Sequence, residues 1–177
     1  MTVFYHSTKG MKHLILSFFC LMIVVVPVRA QDSDPFKSTP YDIPRFVTIA
    51  KDKAYMRTGP GSRFPITWIY KRKNLPVEIV LEYENWRKIK DIDGSEGWVH
   101  LSLLSGRRYG AIQADDMMKL HSKPSNESRV MAFLEPETIV KILSCGPQWC
   151  RIDAQGYKGW MPKASIWGVY ADEIIEN

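Results

Sequence analysis

The chain has 177 residues, 45% of them hydrophobic and 24% charged, with a formal net charge of +5. That length holds one ordinary domain or two small ones, and three cysteines and four histidines leave little for a metal framework or a histidine-based enzyme. The charge is also unevenly placed, because the first thirty residues hold Lys9, Lys12 and Arg29 and no acid.

That opening segment carries an apolar run over 14–26, closed by Pro27-Val28-Arg29-Ala30. The run is shorter than the roughly 20 apolar residues that a bilayer-spanning helix needs, and the small Val28 and Ala30 stand where a signal peptidase reads. The reading is a signal peptide over 1–30, cleaved so that the mature chain begins at Gln31, with an uncleaved anchor as the alternative. Met11 is a second candidate start, and Cys20, preceded by bulky Phe19, does not fit a lipid-attachment site. Cleavage takes three basic residues of the 24, leaving 21 against 19 acids, so the exported chain carries +2 and no stable membrane span. The expected location is the periplasm or outside the cell.

A polar, proline-rich lead-in follows over 31–45. Beyond it, Val77, Ile79 and Leu81 alternate with Glu78, Val80 and Glu82, the period-two pattern of a strand with one buried face. Tyr83-Glu84-Asn85 turns that strand into Trp86–Lys90, a hairpin, and Asp93-Gly94-Ser95 makes the next turn before Gly97-Trp98-Val99. The second half repeats the first. Val77, Ile79, Trp86, Ile89, Gly97, Trp98, Leu104 and Gly106 fall against Val140, Ile142, Trp149, Ile152, Gly159, Trp160, Ile166 and Gly168, with Val to Trp nine residues in both and Trp to Ile three in both. Two copies of one folding unit of about sixty residues are implied, over 46–108 and 109–175. Short strands joined by tight turns in so few residues must curl to bury one face, so the expected class is all-β, a pair of small barrels or sandwiches.

Met56-Arg57-Thr58-Gly59-Pro60-Gly61, the strand from Trp86 to Ile89, Gly97-Trp98-Val99 and the exit Leu103-Leu104-Ser105-Gly106-Arg107-Arg108 resemble the bacterial SH3-like domain in its tandem exported form. Trp149-Cys150-Arg151-Ile152, Gly159-Trp160-Met161 and Ile166-Trp167-Gly168-Val169-Tyr170 are similar to the second unit of such proteins. The second copy has His121-Ser122-Lys123-Pro124-Ser125 where the first has its glycine turn, which puts any ligand contact through that loop in doubt there. The resemblance implies small five- or six-stranded barrels with a recognition role at the cell envelope, and names no ligand.

Nothing in the pattern composes a catalytic site. Once His6 and His13 leave with the signal peptide, His100 and His121 remain as isolated residues read as solvent-exposed. The carboxylates of Glu84 and of 91–93 read as turn formers. Gly59-Pro60-Gly61 lacks the following helix and the Lys-Ser or Lys-Thr pair of a nucleotide loop; it reads as a sharp turn needing glycine's backbone freedom. No enzyme, metal, cofactor or nucleic-acid partner is expected. Cys145 and Cys150, an even pair in an oxidising compartment, are expected to form a disulfide. On the repeat offset they stand where Glu82 and Arg87 stand, across the arms of one hairpin. The first copy is thus expected to hold an exposed ion pair there, worth well under about 1 kcal/mol.

Charge divides the repeats. From 45 to 108 there are 13 basic and 7 acidic residues, and from 109 to 177 there are 7 basic and 9 acidic. The first repeat is therefore the candidate for an anionic partner, through Arg57 and Arg63 beside the glycine loop and Lys71-Arg72-Lys73 next to Trp68 and Tyr70. Trp86, Trp98, Trp149 and Trp160 recur at fixed spacing, which favours packing; Trp68 and Tyr55 have no aromatic counterpart and are the better ligand candidates. The expected function is recognition of peptidoglycan or another anionic envelope polymer. The alternative is a peptide, envelope-protein or host-protein partner bound in an aromatic groove.

Overall fold

Runs of β-branched and aromatic residues between turn formers become fourteen strands in the computed structural model, which describes residues 1–3 and 38–176. Residues 4–37, holding the apolar run, the expected cleavage site and the front of the lead-in, lie outside the described residues. The first repeat contributes β1 (Arg45–Ile49), β2 (Ala54–Arg57), β3 (Ile66–Tyr70), β4 (Pro76–Tyr83), β5 (Trp86–Lys90), β6 (Glu96–His100) and β7 (Leu104–Ser105). The second contributes β8 (Tyr109–Ile112), β9 (Met118–His121), β10 (Val130–Leu134), β11 (Ile139–Cys145), β12 (Trp149–Ala154), β13 (Tyr157–Pro162) and β14 (Ile166–Trp167). The sheet orders, β3-β2-β6-β5-β4-β1-β7 and β10-β9-β13-β12-β11-β8-β14, are the same permutation, and every strand pairing among the described residues is antiparallel. The all-β tandem architecture is therefore observed.

Each sheet closes on its own core. Val47, Ile49, Met56, Val77, Ile79, Ile89 and Val99 fill the first; Ile112, Leu120, Val140, Ile142, Ile152 and Met161 fill the second. Gly97 and Gly159 sit where β2 crosses β6 and β9 crosses β13. A Cβ on Gly97 would lie 2.4 Å from Met56 Cγ, and one on Gly159 2.7 Å from the His121 carbonyl oxygen, so the close crossing itself demands glycine.

The alternation expected along β4 holds at Val77 and Ile79 and then shifts. A bulge between Ile79 and Leu81 changes the register, and β11 has its counterpart between Ile142 and Ser144. An extra residue in one strand swaps the faces beyond it. Leu81 is consequently half-buried, and Glu82 is completely inaccessible at 0% exposure. Glu82 does pair with Arg87, as Cys145 pairs with Cys150, but the expected exposed ion pair is a buried one. Thr39 donates to Glu82 through its backbone N at 2.7 Å and its hydroxyl at 2.9 Å. Arg45 Nη2 lies 2.5 Å and Arg87 Nε 3.3 Å from Oε1. The segment ahead of β1 thus covers this end of the first hairpin. At the matching end of the second, the disulfide joins Cys145 to Cys150, and the tail covers it through reciprocal backbone hydrogen bonds of Cys145 and Ile175, both 2.9 Å.

His121 also departs from the expectation. It is 4% exposed and ends strand β9, its ring edge-on to Trp149 at 5.8 Å. It occupies the place of Arg57: both stand opposite the Gly-Trp tryptophan, Arg57 against Trp98 and His121 against Trp160. Arg57 Nη1 donates to the Phe64 carbonyl at 2.7 Å, and His121 Nδ1 lies 3.3 Å from the Ser128 carbonyl. His100 is half-buried, its ring edge-on to Trp86 at 5.3 Å and its Nδ1 2.8 Å from the Ser102 hydroxyl.

The glycine loop has a different cause from the one its sequence suggests. Neither Gly59 nor Gly61 takes a positive φ. The second repeat makes the same turn without glycine, since the hydrogen bonds Thr58 to Pro65, Gly61 to Gly59 and Phe64 to Gly61 recur as Ser122 to Arg129, Ser125 to Lys123 and Ser128 to Ser125. What Gly59 supplies is room, because a Cβ there would lie 2.6 Å from the Phe64 ring. In the second repeat, Ser128 replaces that ring and bonds Lys123 at both backbone N and carbonyl, leaving space for a side chain.

Candidate functional site

Both sheets end on an apolar edge strand. In β3 the sequence Ile-Thr-Trp-Ile-Tyr leaves Ile66, Trp68 and Ile69 exposed, Trp68 by 58%, although an edge strand ordinarily hides such residues. Tyr70, the last residue of β3, turns inward. It is 5% exposed and donates from its hydroxyl to Asp91 Oδ2 at 3.0 Å, and burial followed by the Asp91 charge pushes its pKa far above the usual phenol value. Asp91 in turn accepts from the Ser95 backbone N at 2.9 Å, so one carboxylate closes a turn and anchors a core ring.

Lys71, Arg72 and Lys73 follow directly as an exposed turn closed by Asn74, whose φ is 65°. None of the three cations enters an ion pair, side-chain hydrogen bond or ring contact among the described residues. Trp68, Tyr70 and Arg72 line one cleft of about 190 Å³ between the repeats, with Asp91 and Asp93 from the first and Glu137 from the second.

The other candidates are placed elsewhere. Arg57 is held by the Phe64 carbonyl, Arg63 lies over the Phe64 ring at 5.2 Å, and the half-buried Tyr55 has Lys53 5.2 Å from its ring centre. Of the eight residues singled out from the sequence, the structure gathers Trp68, Tyr70 and Arg72 around one cleft, with Lys71 and Lys73 exposed on either side of Arg72 in the same turn. The acids of the cleft went unrecognised because each reads locally as a turn former, and only the docking of the second repeat brings Glu137 alongside.

A larger groove of about 490 Å³ also runs between the repeats, and its side chains serve to join them. Phe46 packs edge-on against Trp167 at 5.1 Å and against Tyr170 at 4.7 Å. Tyr170 donates to Glu78 Oε1 at 2.8 Å, and Lys90 meets Glu78 Oε2 at 2.6 Å, which raises the Lys90 pKa. Glu78, on the strand face expected to meet solvent, is therefore buried by the second repeat. Lys163 is spent on the Ala171 and Glu173 carbonyls at 3.0 and 2.8 Å. No group of three or more His, Cys, Asp or Glu residues suited to a metal ion occurs among the described residues.

None of the curated proteins matches the chain. Solved structures that resemble it include NlpC2 from Trichomonas vaginalis, at 13% identity and a TM-score of 0.34 over 75% of this chain and 51% of that one. NlpC1 from the same organism gives 14% and 0.33 over 73% and 47%. An NlpC/P60 family protein from Bacillus cereus ATCC 10987 gives 14% and 0.32 over 68% and 55%. The chain thus spans about half the length of each. The bacterial SH3 domain family matches twice, over residues 50–106 and 114–168, spans that take in each of the two matching sheets apart from its first strand, and the chain belongs to that family as a tandem pair.

Proposed function

We propose that the protein is an exported binding module that grips an anionic cell-envelope polymer through Trp68 and the Lys71-Arg72-Lys73 turn. The observation that carries this reading is the pairing of an exposed indole on an edge strand with three adjacent cations that have no partner among the described residues. An aromatic face beside cations suits a sugar ring bearing acidic groups. Asp93 and Glu137 in the same cleft favour a polymer that carries amino groups as well as carboxylates, as the peptides of peptidoglycan do, over a uniformly anionic chain.

Co-sedimentation with purified sacculi tests it. Retention is expected to fall as salt rises, since exposed charges are screened over about 8 Å at physiological ionic strength. Reversal of Lys71, Arg72 and Lys73 to Glu should abolish retention without unfolding the barrel, because exposed turn residues contribute little to stability, and Trp68→Ala should weaken it. Retention that ignores salt and survives the triple reversal overturns the proposal. A second reading rests on the exposed apolar edges themselves: Ile66, Trp68 and Ile69 on β3 suit a partner peptide added as a further strand. Capture that depends on Trp68 but not on salt would favour it.

A further inference from the structure

The second repeat carries its own exposed rings in a setting of opposite charge. Phe133 on the edge strand β10 is 60% exposed, and Tyr157 at the start of β13 is 63% exposed. Both line a cleft of about 250 Å³ together with Glu135, Thr138 and Gln155. By register, the first repeat has Ile69 in place of Phe133 and Lys71 in place of Glu135, so the equivalent surface there is cationic and lacks the ring.

Two further observations set this cleft apart. Four other rings among the described residues carry a cation of their own: Tyr41 has Arg45, Tyr55 has Lys53, Phe64 has Arg63 and Trp167 has Lys90. Among the described residues neither Phe133 nor Tyr157 has a cation or ring partner, although Lys119 stands opposite Phe133 in the sheet. The Glu135 carboxylate likewise enters no ion pair or side-chain hydrogen bond among them. Two open aromatic faces and one uncommitted carboxylate around a small cleft form the arrangement that attracts an organic cation. The ring quadrupoles hold its charged head, and the carboxylate supplies the counter-charge.

We propose that the Phe133–Tyr157–Glu135 cleft is a binding site for an alkylammonium group, separate from the anion-binding surface of the first repeat. Such a group reaches the envelope from two sources, the amino group of a lysine-like side chain or the quaternary head of a choline-type lipid. A polymer with carboxylates and amines would engage both repeats at once, and a single ligand would then see opposite charge on the two halves of the tandem pair.

The test is a nuclear magnetic resonance titration of the whole isotopically labelled protein with N-acetyl-lysine amide and, separately, with choline. N-acetyl-norleucine amide, similar in shape but uncharged, is the control. Saturable shifts at the amides of Phe133, Glu135 and Tyr157 are expected with at least one charged probe, and the tighter of the two identifies the source. The norleucine probe should bind at least about fivefold more weakly. Tyr157→Ala should weaken the charged probe by about twofold to fivefold, the contribution of one exposed ring, and Glu135→Gln by at least about twofold. Both side chains are exposed, so an unchanged melting temperature certifies each variant. The proposal is overturned if neither charged probe gives saturable shifts there, if norleucine binds equally well, or if Glu135→Gln leaves affinity unchanged. Reversal of Lys71, Arg72 and Lys73 should leave this titration intact, which keeps its result distinct from that of the sacculus experiment.

Discussion

Glu82→Ala removes the one carboxylate around which the closed end of the first hairpin is organised. Its two oxygens accept from three donors, the Thr39 backbone and hydroxyl and Arg45, and form an ion pair with the Arg87 guanidinium at 3.3 Å, and its side chain is wholly inaccessible. Removing one partner of a buried pair costs about 3–5 kcal/mol, because the other charge stays buried alone. Two features place this case at the lower end. Arg45 is partly exposed and can turn to water, and Arg87 keeps the Glu84 and Trp86 carbonyls as acceptors, both at 2.8 Å. The expected loss is about 3 kcal/mol, read by urea unfolding, with freed lead-in residues becoming the earliest site of proteolysis. The pH dependence has a definite sign. Burial by itself would raise the Glu82 pKa, but the hydrogen bonds of Arg45 and Thr39 and the charge of Arg87 outweigh it and hold the carboxyl below its ordinary value of about 4.5. A depressed carboxyl stabilises the fold above its unfolded pKa and loses that contribution as pH falls through the folded value. The gap between wild type and Glu82→Gln should therefore be full at neutral pH and close progressively below about pH 4.5. A loss from Glu82→Ala under about 1 kcal/mol, the value of an exposed pair, would refute the account.

Gly59→Ala is expected to cost about 1–3 kcal/mol, the range for overpacking, since its Cβ would enter the Phe64 ring. Made in a Phe64→Ser background, which reproduces the second repeat's solution, the same change should cost less by at least about 0.5 kcal/mol, a coupling that a double-mutant cycle of unfolding free energies measures directly. Reducing the bond between Cys145 and Cys150, five residues apart, should remove about 2 kcal/mol from the second repeat in the chain-entropy picture. Differential scanning calorimetry with and without reductant should show that transition move while the first repeat's holds.

The repeat was legible because burial imposes fixed spacing. A hairpin core needs Val77, Ile79, Trp86 and Ile89 at set intervals, and the same intervals recur sixty-odd residues on, so the all-β class, the hairpin register and the Cys145–Cys150 pairing follow from local pattern alone. The exposed position of Lys71, Arg72 and Lys73 was legible as well, since three adjacent cations conflict with a core role. That of Tyr70, directly before them, was not, because which face of an edge strand turns inward depends on how β3 pairs with β2, where the register shifts between Met56 and Arg57. The bulge after Ile79 carries no marker in composition, yet it decides that Glu82 rather than Leu81 is enclosed. Glu78 and Glu82 both fit a solvent-facing pattern; one is covered by Tyr170 of the other repeat and the other by Thr39 ahead of the first strand. Gly59 shows the same division, its need for glycine arising from a ring five positions away rather than from its own dihedral. Local sequence determines where strands and turns fall because those preferences are summed over neighbours, whereas the surface that survives for a ligand is decided by which segments fold back over it.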